Sequence, residues 1–200
     1  MRYTFATFSS TFFKGLNRDI DKLSIGLFLS PTYLGLYGLV KQFSSPLLYV
    51  SAPFSINLFP QFVKNNSQAL FKKTLKNIGY INKRIKIISF IFSVILVSCL
   101  VFYLGKINSN LDLQLSLTIL FTFLGAIIAA IMWWCRPFSS AVDPNISLRT
   151  NFYALLATIF FLVPLIYFFS LPGAAIGSFI INLFLYKYFQ NKLLEYGNNE

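Results

Sequence analysis

Residues 87–105 read IISFIFSVILVSCLVFYLG, nineteen residues without a charge between Lys86 and Lys106. Wound as a helix at about 1.5 Å per residue, this run is about as long as the hydrocarbon core of a bilayer is thick. Similar uncharged runs recur along the chain. A helix spans lipid with all its backbone hydrogen bonds satisfied and needs no closed barrel. The sequence therefore predicts an all-α integral membrane protein.

The composition supports a membrane protein and excludes several kinds of site. Apolar residues make up 56% of the chain and charged residues only 12%, about half their share in a soluble domain. The net charge of +11 indicates basic cytoplasmic loops rather than a nucleic-acid partner. The chain has no His and two Cys, which excludes His or Cys metal clusters and Ser-His-Asp or Cys-His nucleophiles. We therefore expect no cofactor and no enzymatic activity.

The uncharged runs divide into six predicted spans, one membrane unit over residues 1–192, with a frayed tail at 193–200. The spans lie at about 3–29, 33–63, 85–105, 113–135, 150–169 and 173–190. Residues 170–173, Ser-Leu-Pro-Gly, separate the last two. Seven Lys or Arg residues fall in the connection 64–86, whereas the connection near 105–112 has Lys106 alone. This alternation predicts that both termini are cytoplasmic, and residues 1–19 lack the pattern of a removable signal peptide.

Two segments near the predicted membrane surface are amphipathic or aromatic. Residues 67–84 have the pattern of a cytoplasmic amphipathic helix. Its apolar side chains either touch the membrane surface or belong to an ordinary basic loop helix: Leu70, Leu75, Ile78 and Ile81. Trp133 and Trp134, followed by Arg136, indicate an interfacial anchor rather than a ligand site.

The first predicted span carries a polar face along four helical turns. At 100° per residue, the residues within or at the margin of this face include Lys14, Asn17, Arg18, Asp21 and Lys22. Arg18 is spaced to pair with Asp21, and the face keeps a net positive charge. Such a stripe either lines a wet cavity and binds a phosphate or diphosphate, or belongs to an interfacial helix whose charges reach the surface.

The second predicted span has a neutral polar face. Pro46, Pro53 and Pro60 are seven residues apart and share one side of the helix, on which Gln42, Tyr49 and Asn57 also lie. Proline bends a helix and frees carbonyl groups, which neighbours or water then satisfy. This helix is either a bent wall of a polar pathway or a static kink that improves packing.

The order of several short motifs resembles a known family of exporters. Residues 17–26 read NRDIDKLSIG, residues 30–31 read SP and residues 34–39 read LGLYGL. Together they resemble the D-K-x-x-I-G … G-P-x-x-L-G-x-Y stretch of the polysaccharide and O-antigen flippases. Residues 58–60, LFP, precede a basic connection as in that family, and residues 171–177, LPGAAIG, are similar to the turn that opens its last helix.

The resemblance implies a fold, a function and partners. These flippases belong to the multidrug/oligosaccharidyl-lipid/polysaccharide exporter superfamily, with two six-helix lobes around a cleft, and this chain resembles the C-terminal lobe. By alternating access, such a protein moves a polyprenyl-diphosphate-linked oligosaccharide across the bacterial inner membrane. The implied partners are the lipid bilayer, that glycolipid, and a second six-helix lobe, either an N-terminal half or another copy.

The candidate site residues follow from the two polar faces and this implied substrate. We expect Lys14, Arg18 and Lys22 to contact the diphosphate. We expect Asn17, Gln42 and Asn57 to meet sugar hydroxyls, and Asp21 or Asp19 is a candidate for ion coupling.

Three alternatives stay open at this point. The chain is a truncated lobe that folds and transports nothing, or an exporter of an amphiphilic small molecule, or a membrane enzyme of polyprenyl-phosphate sugar chemistry. The net positive face of the first span disfavours a cationic cargo. Six acidic residues in the whole chain make a poor set of catalytic carboxylates.

Overall fold

The structure is a computed structural model that describes residues 8, 9, 12, 20–64, 68–106, 112–142 and 144–199. This part of the chain is almost entirely helical. A first helix, α1, covers residues 20–28 of the described part. The elements that follow are α2 (Pro31–Ser44), α3 (Pro46–Lys64), α4 (Gln68–Lys106), α5 (Leu113–Ile131), a 3₁₀ turn (Met132–Trp134), α6 (Cys135–Val142), α7 (Pro144–Ala157), a π-helical segment (Thr158–Leu162) and α8 (Val163–Asn199).

Helices α1 and α2 form an antiparallel hairpin around Ser30. Ser30 has extended backbone angles, and Pro31 occupies the start of α2, where its missing N–H breaks no helical hydrogen bond. A Cβ on Gly26 would lie 3.7 Å from Leu34, so residues equally distant from the turn face each other. The hairpin brings α1 alongside α2.

The second predicted span is two helices joined by a bend. Pro46 has no N–H with which to bond the Gln42 carbonyl oxygen. The Ser45 hydroxyl donates to that oxygen instead, at 2.8 Å. Because this hydroxyl replaces the lost backbone bond, the chain turns from α2 into α3 without an unsatisfied carbonyl at the junction.

Helix α4 is continuous over 39 residues, whereas the sequence predicted a separate amphipathic helix at 67–84 followed by a span. The reason is that one apolar stripe runs through both parts: Ile78 and Ile85, two turns apart, are both buried. Leu75 and Ile81 also pack against the protein. This packing favours the alternative of a loop helix over membrane-surface contact for Leu75, Ile78 and Ile81, and the side chain of Leu70 lies outside the described part.

Helix α5 begins at a carboxylate cap and ends at two buried tryptophans. The Asp112 carboxylate accepts a hydrogen bond from the Leu115 N–H at 2.8 Å. At the other end, Trp133 and Trp134 are 5% and 1% exposed. The prediction of an interfacial anchor was wrong for both, because these rings pack inside the protein instead of facing lipid.

The chain from α7 to α8 folds back on itself. Ser170 has φ 55° and ψ −132°, at the Ser-Leu-Pro-Gly sequence where the uncharged stretch was expected to break. In one continuous helix, residues 162 and 177 would lie about 22 Å apart. Instead, a Cβ on Gly177 would lie 3.2–3.3 Å from Leu162. Residues 171–199 therefore run back antiparallel to the segment before Ser170.

The buried side chains form two clusters at different levels of the bundle. The distal core, near the turns at Ser30 and Ser170, contains Ile25, Tyr37, Val40, Leu47, Leu100, Leu104, Leu115, Ile119, Phe123, Leu162, Ile166, Leu171, Ala174 and Ile181. The basic-end core, beside the lysine-rich half of α4, contains Leu58, Phe62, Ile78, Ile85, Trp133, Trp134, Cys135, Phe138, Ile146 and Phe189.

Three helical segments of the described chain are long and apolar enough to cross a membrane: Thr74–Lys106, Leu113–Ser139 and Asn145–Glu195. Large apolar side chains cover their outer surfaces, as in Phe90 and Ile91 on α4 and Tyr167 to Phe169 before the turn. The molecule is thus a helical protein with the surface of a membrane protein. The division into six spans stays a prediction.

Candidate functional site

A half-buried ion pair joins α1 to α2. The Asp21 carboxylate, 5% exposed, accepts a hydrogen bond from the Tyr37 hydroxyl at 2.9 Å and forms an ion pair with the Lys41 ammonium. Its other oxygen accepts the Lys22 backbone N–H at 2.8 Å. Lys41 lies one turn after Tyr37 and over its ring. The carboxylate is therefore saturated by this chain's own donors.

The first predicted polar face is only partly within the described residues. Lys14, Asn17 and Arg18 lie outside them, so the expected contacts of these residues stay predictions. Lys22 is described, and its side chain is exposed. Asp21 is directed to Tyr37 and Lys41, a pairing the sequence argument missed. The signal was available, because Asp21 and Lys41 are almost equally distant from the turn at Ser30.

The neutral polar face of α2 and α3 is not covered by the described chain. Gln42, Tyr49 and Asn57 are all exposed, as are Pro53 and Pro60. These residues continue as one stripe past the bend at Ser45. Amides and a phenol on an exposed surface donate and accept hydrogen bonds, so this side of the helices is suited to water or to a polar partner.

A groove lies between α3 and α4 at the basic end. It has a volume of about 170 Å³, and its aromatic and amide lining comprises Phe54, Asn57, Gln61, Asn77, Tyr80 and Trp133. Asn57 was predicted from the sequence as a sugar contact. The other members were missed, because α3 and α4 come together here only through the tertiary fold.

The walls of the groove are held in place by contacts behind them. The Trp133 indole N–H donates to the Asn82 side-chain oxygen at 2.7 Å, and its ring meets Phe54 edge-on at 5.9 Å. On α4, the Arg84 guanidinium lies 4.4 Å from the centre of the Tyr80 ring and donates to its hydroxyl. One side of the groove is thus a fixed aromatic wall, and the Arg84 guanidinium lies against one of its rings.

No metal-binding chemistry is evident within the described ranges. No group of three or more His, Cys, Asp or Glu side chains there is arranged to hold a metal ion. The arrangement of amides, aromatic rings and cations fits recognition by hydrogen bonding, stacking and charge.

Comparisons with known proteins leave the site to be interpreted from its own chemistry. No protein-family profile, curated protein or solved structure matches the chain.

Proposed function

We propose that this chain is a membrane flippase, or one lobe of one, for a polyprenyl-diphosphate-linked oligosaccharide used in cell-surface polysaccharide synthesis. In this proposal it lies in the bacterial inner membrane with six spans and both termini cytoplasmic. It works by alternating access together with a second six-helix lobe and catalyses no covalent chemistry. The proposal follows the motif resemblance, and the structure adds one supporting observation.

The observation that carries the proposal is the uncovered polar stripe on α2 and α3. Gln42, Tyr49 and Asn57 are exposed along helices whose other sides enter the distal and basic-end cores. Neutral amides and a phenol donate and accept hydrogen bonds without a net charge. That chemistry suits sugar hydroxyls moving along a wet surface, and it suits lipid tails poorly.

The half-buried pair of Asp21 and Lys41 fits the same proposal in a supporting role. It joins α1 to α2 and so fixes the hairpin that carries the first half of the polar stripe. A carboxylate occupied by Tyr37 and Lys41 is less suited to touching a diphosphate directly. We therefore assign Asp21 to positioning, and the diphosphate contacts remain with the cations of the chain.

Leaflet exchange in liposomes tests this function. The full chain is reconstituted with a fluorescent polyprenyl-diphosphate oligosaccharide, and a membrane-impermeant glycosidase measures the fraction of sugar exposed outside. We expect protein-dependent exchange, and we expect the double variant Gln42→Leu, Asn57→Leu to slow it by about tenfold or more, since two hydrogen-bonding groups are lost.

A polar residue on another exposed surface provides the matched control. Ser98 on α4 is exposed and its hydroxyl donates to the Val94 carbonyl of its own helix. Ser98→Leu is expected to leave exchange unchanged. Exchange no faster than in protein-free liposomes would contradict the proposal and favour the non-transporting lobe.

A further inference from the structure

The lining of the groove between α3 and α4 is suited to binding a small polyhydroxyl group. Phe54, Tyr80 and Trp133 supply ring surfaces, and Asn57 and Asn77 supply amides from opposite walls. Within the described part of the chain, no hydrogen bond is found for the side-chain amide of Asn57 or of Asn77. A side-chain amide offers both a donor and an acceptor group to a ligand.

The size of the groove restricts the ligand. Sites for drug-sized molecules usually measure about 300–1,000 Å³, whereas this groove measures about 170 Å³. It accommodates one ring or a compact headgroup. A large amphiphilic drug would leave most of its surface outside.

The charge beside the aromatic wall favours an anion. Arg84 covers the Tyr80 ring, and Lys76 is exposed one turn before Tyr80 on the same side of α4. No Asp or Glu occurs between Lys22 and Leu111 in the sequence, so neither α3 nor α4 carries an acidic side chain. A guanidinium held on a ring binds phosphate oxygens in a bidentate manner.

The level of the groove indicates that the anion belongs to a lipid. Arg84 lies three residues before Ile87, where the uncharged run of α4 begins. At about 1.5 Å per residue this is a displacement of about 4.5 Å, which places the guanidinium at the boundary where lipid headgroups lie. A phosphate attached to an acyl or prenyl chain reaches this position while its chain stays in the membrane.

From these observations we infer that the α3–α4 groove binds the headgroup of a membrane lipid in which a phosphate carries a sugar. Arg84 binds the phosphate, and Asn57 and Asn77 bind the hydroxyls of the first sugar against the aromatic wall. The inference deepens the proposed function, since it assigns a binding site for the cargo on the basic side. Only the interpretation of the bound lipid as transported cargo rests on the proposed function.

Equilibrium binding to the full chain in phosphatidylcholine nanodiscs tests the site without requiring transport. The chain has two tryptophans; both belong to the basic-end core, and Trp133 also lines the groove. Titration with a polyprenyl-diphosphate-linked sugar is expected to change tryptophan emission saturably. Arg84→Gln and the double variant Asn57→Ala, Asn77→Ala are each expected to weaken binding by about tenfold or more.

The same helix offers a matched control for Arg84. Lys106 lies 4.9 Å from the centre of the Phe102 ring, four residues away, so it repeats the cation–aromatic arrangement at the opposite end of α4. Lys106→Gln is expected to bind the glycolipid like the wild-type protein. All the substituted residues are exposed, and size-exclusion profiles with circular dichroism verify that each variant is folded.

Three other ligands test which part of the glycolipid the groove recognises. A water-soluble sugar phosphate, the neutral glycolipid without phosphate, and phosphatidylglycerol are each expected to bind at least tenfold more weakly. Equal binding of any one of them would overturn the inference, as would unchanged binding by Arg84→Gln. Leaflet exchange is a separate measurement, so intact binding without exchange would contradict the proposed function and leave the binding site standing.

Discussion

The distal core and the basic-end core are held together by different physical means. In the distal core, helices approach closely at small residues: a Cβ on Gly125 would lie 3.6 Å from the Phe179 backbone, and Gly173 and Gly177 meet the segment before Ser170. In the basic-end core, aromatic rings meet edge-on, as Phe138 does with Phe62 and Trp134.

This difference follows from what surrounds each cluster. Between spans, lipid tails are as apolar as the side chains, so close backbone packing and interhelical polar contacts hold the helices together. In the predicted topology the lysine-rich end lies nearer to water, where burying rings gains hydrophobic free energy. The two clusters thus differ in their packing, with close backbone contacts at glycines in the distal core and edge-on aromatic contacts in the basic-end core.

The largest expected effect comes from a matched pair of phenylalanines. Phe138 and Phe123 are 0% and 3% exposed, in the basic-end and distal cores respectively. Phe138→Ala is expected to lower the free energy of unfolding by about 3–5 kcal/mol. Phe123→Ala is expected to lower the free energy of unfolding by less, because a phenylalanine ring between spans gains no free energy of transfer out of water. Unfolding by sodium dodecyl sulfate in mixed micelles measures both, and equal costs would remove the distinction between the cores.

Next in size is the turn that closes the distal core. A Cβ on Gly173 would overlap the Leu165 carbonyl, and backbone atoms cannot move aside as a side-chain end does. Gly173→Ala is expected to cost about 3 kcal/mol, seen as a lower melting temperature in detergent. Gly79→Ala on α4 is the control, since nothing lies within 4 Å of its Cβ position. That change should stabilise slightly, and a destabilised control would point to a general effect of the substitution.

A smaller effect is expected from the ion pair in α1 and α2. Asp21→Asn and Lys41→Met are each expected to destabilise the protein, and the double variant less than their sum, with a coupling energy of about 1–3 kcal/mol. The Lys41 side chain is 37% exposed, so part of its charge is solvated after Asp21 is lost. A double-mutant cycle of thermal unfolding measures the coupling, and strict additivity would mean that the pair does not hold the hairpin.

The smallest expected effect is at the contact between α5 and α8. The Asn182 side chain donates to the Gly125 carbonyl at 3.4 Å, a long hydrogen bond. Asn182→Leu is expected to cost about 0.6–1.7 kcal/mol in bicelles, as interhelical hydrogen bonds in membranes do. Steric-trapping measurements resolve this difference. A stabilised variant would show that close packing at Gly125 suffices without the polar contact.

Local chemistry made some of the structure predictable. The uncharged run of α4 and the break at Ser170 are visible in the sequence because length and Pro-Gly chemistry act over a few residues. The neutral face of Gln42, Tyr49 and Asn57 was likewise predicted from helical periodicity, and these residues are exposed in the structure. Whether that face binds a ligand stays a prediction.

The contacts that could not be predicted from the sequence join segments far apart in the chain. Lys41 meets Asp21 only because a hairpin closes at Ser30, and Trp133 meets Asn82 only because α5 ends beside α4. The continuity of α4 was missed for a related reason. Lysines suggested a surface helix, but Ile78 and Ile85 continue a buried stripe that only a neighbouring helix makes evident.

The length of α4 has a mechanical consequence. At about 1.5 Å per residue its 39 residues extend about 58 Å, nearly twice the thickness of a bilayer's hydrocarbon core, about 30 Å. With the predicted span at 85–105 in the bilayer, the half that carries the lysines extends beyond the hydrocarbon core as an arm of about 28 Å, packed through Ile78 and Ile85 into the basic-end core. Tilting such an arm by about 10° sweeps its tip through about 5 Å, so a slight rotation among the spans becomes a displacement in water that a distance label near Lys76 would register.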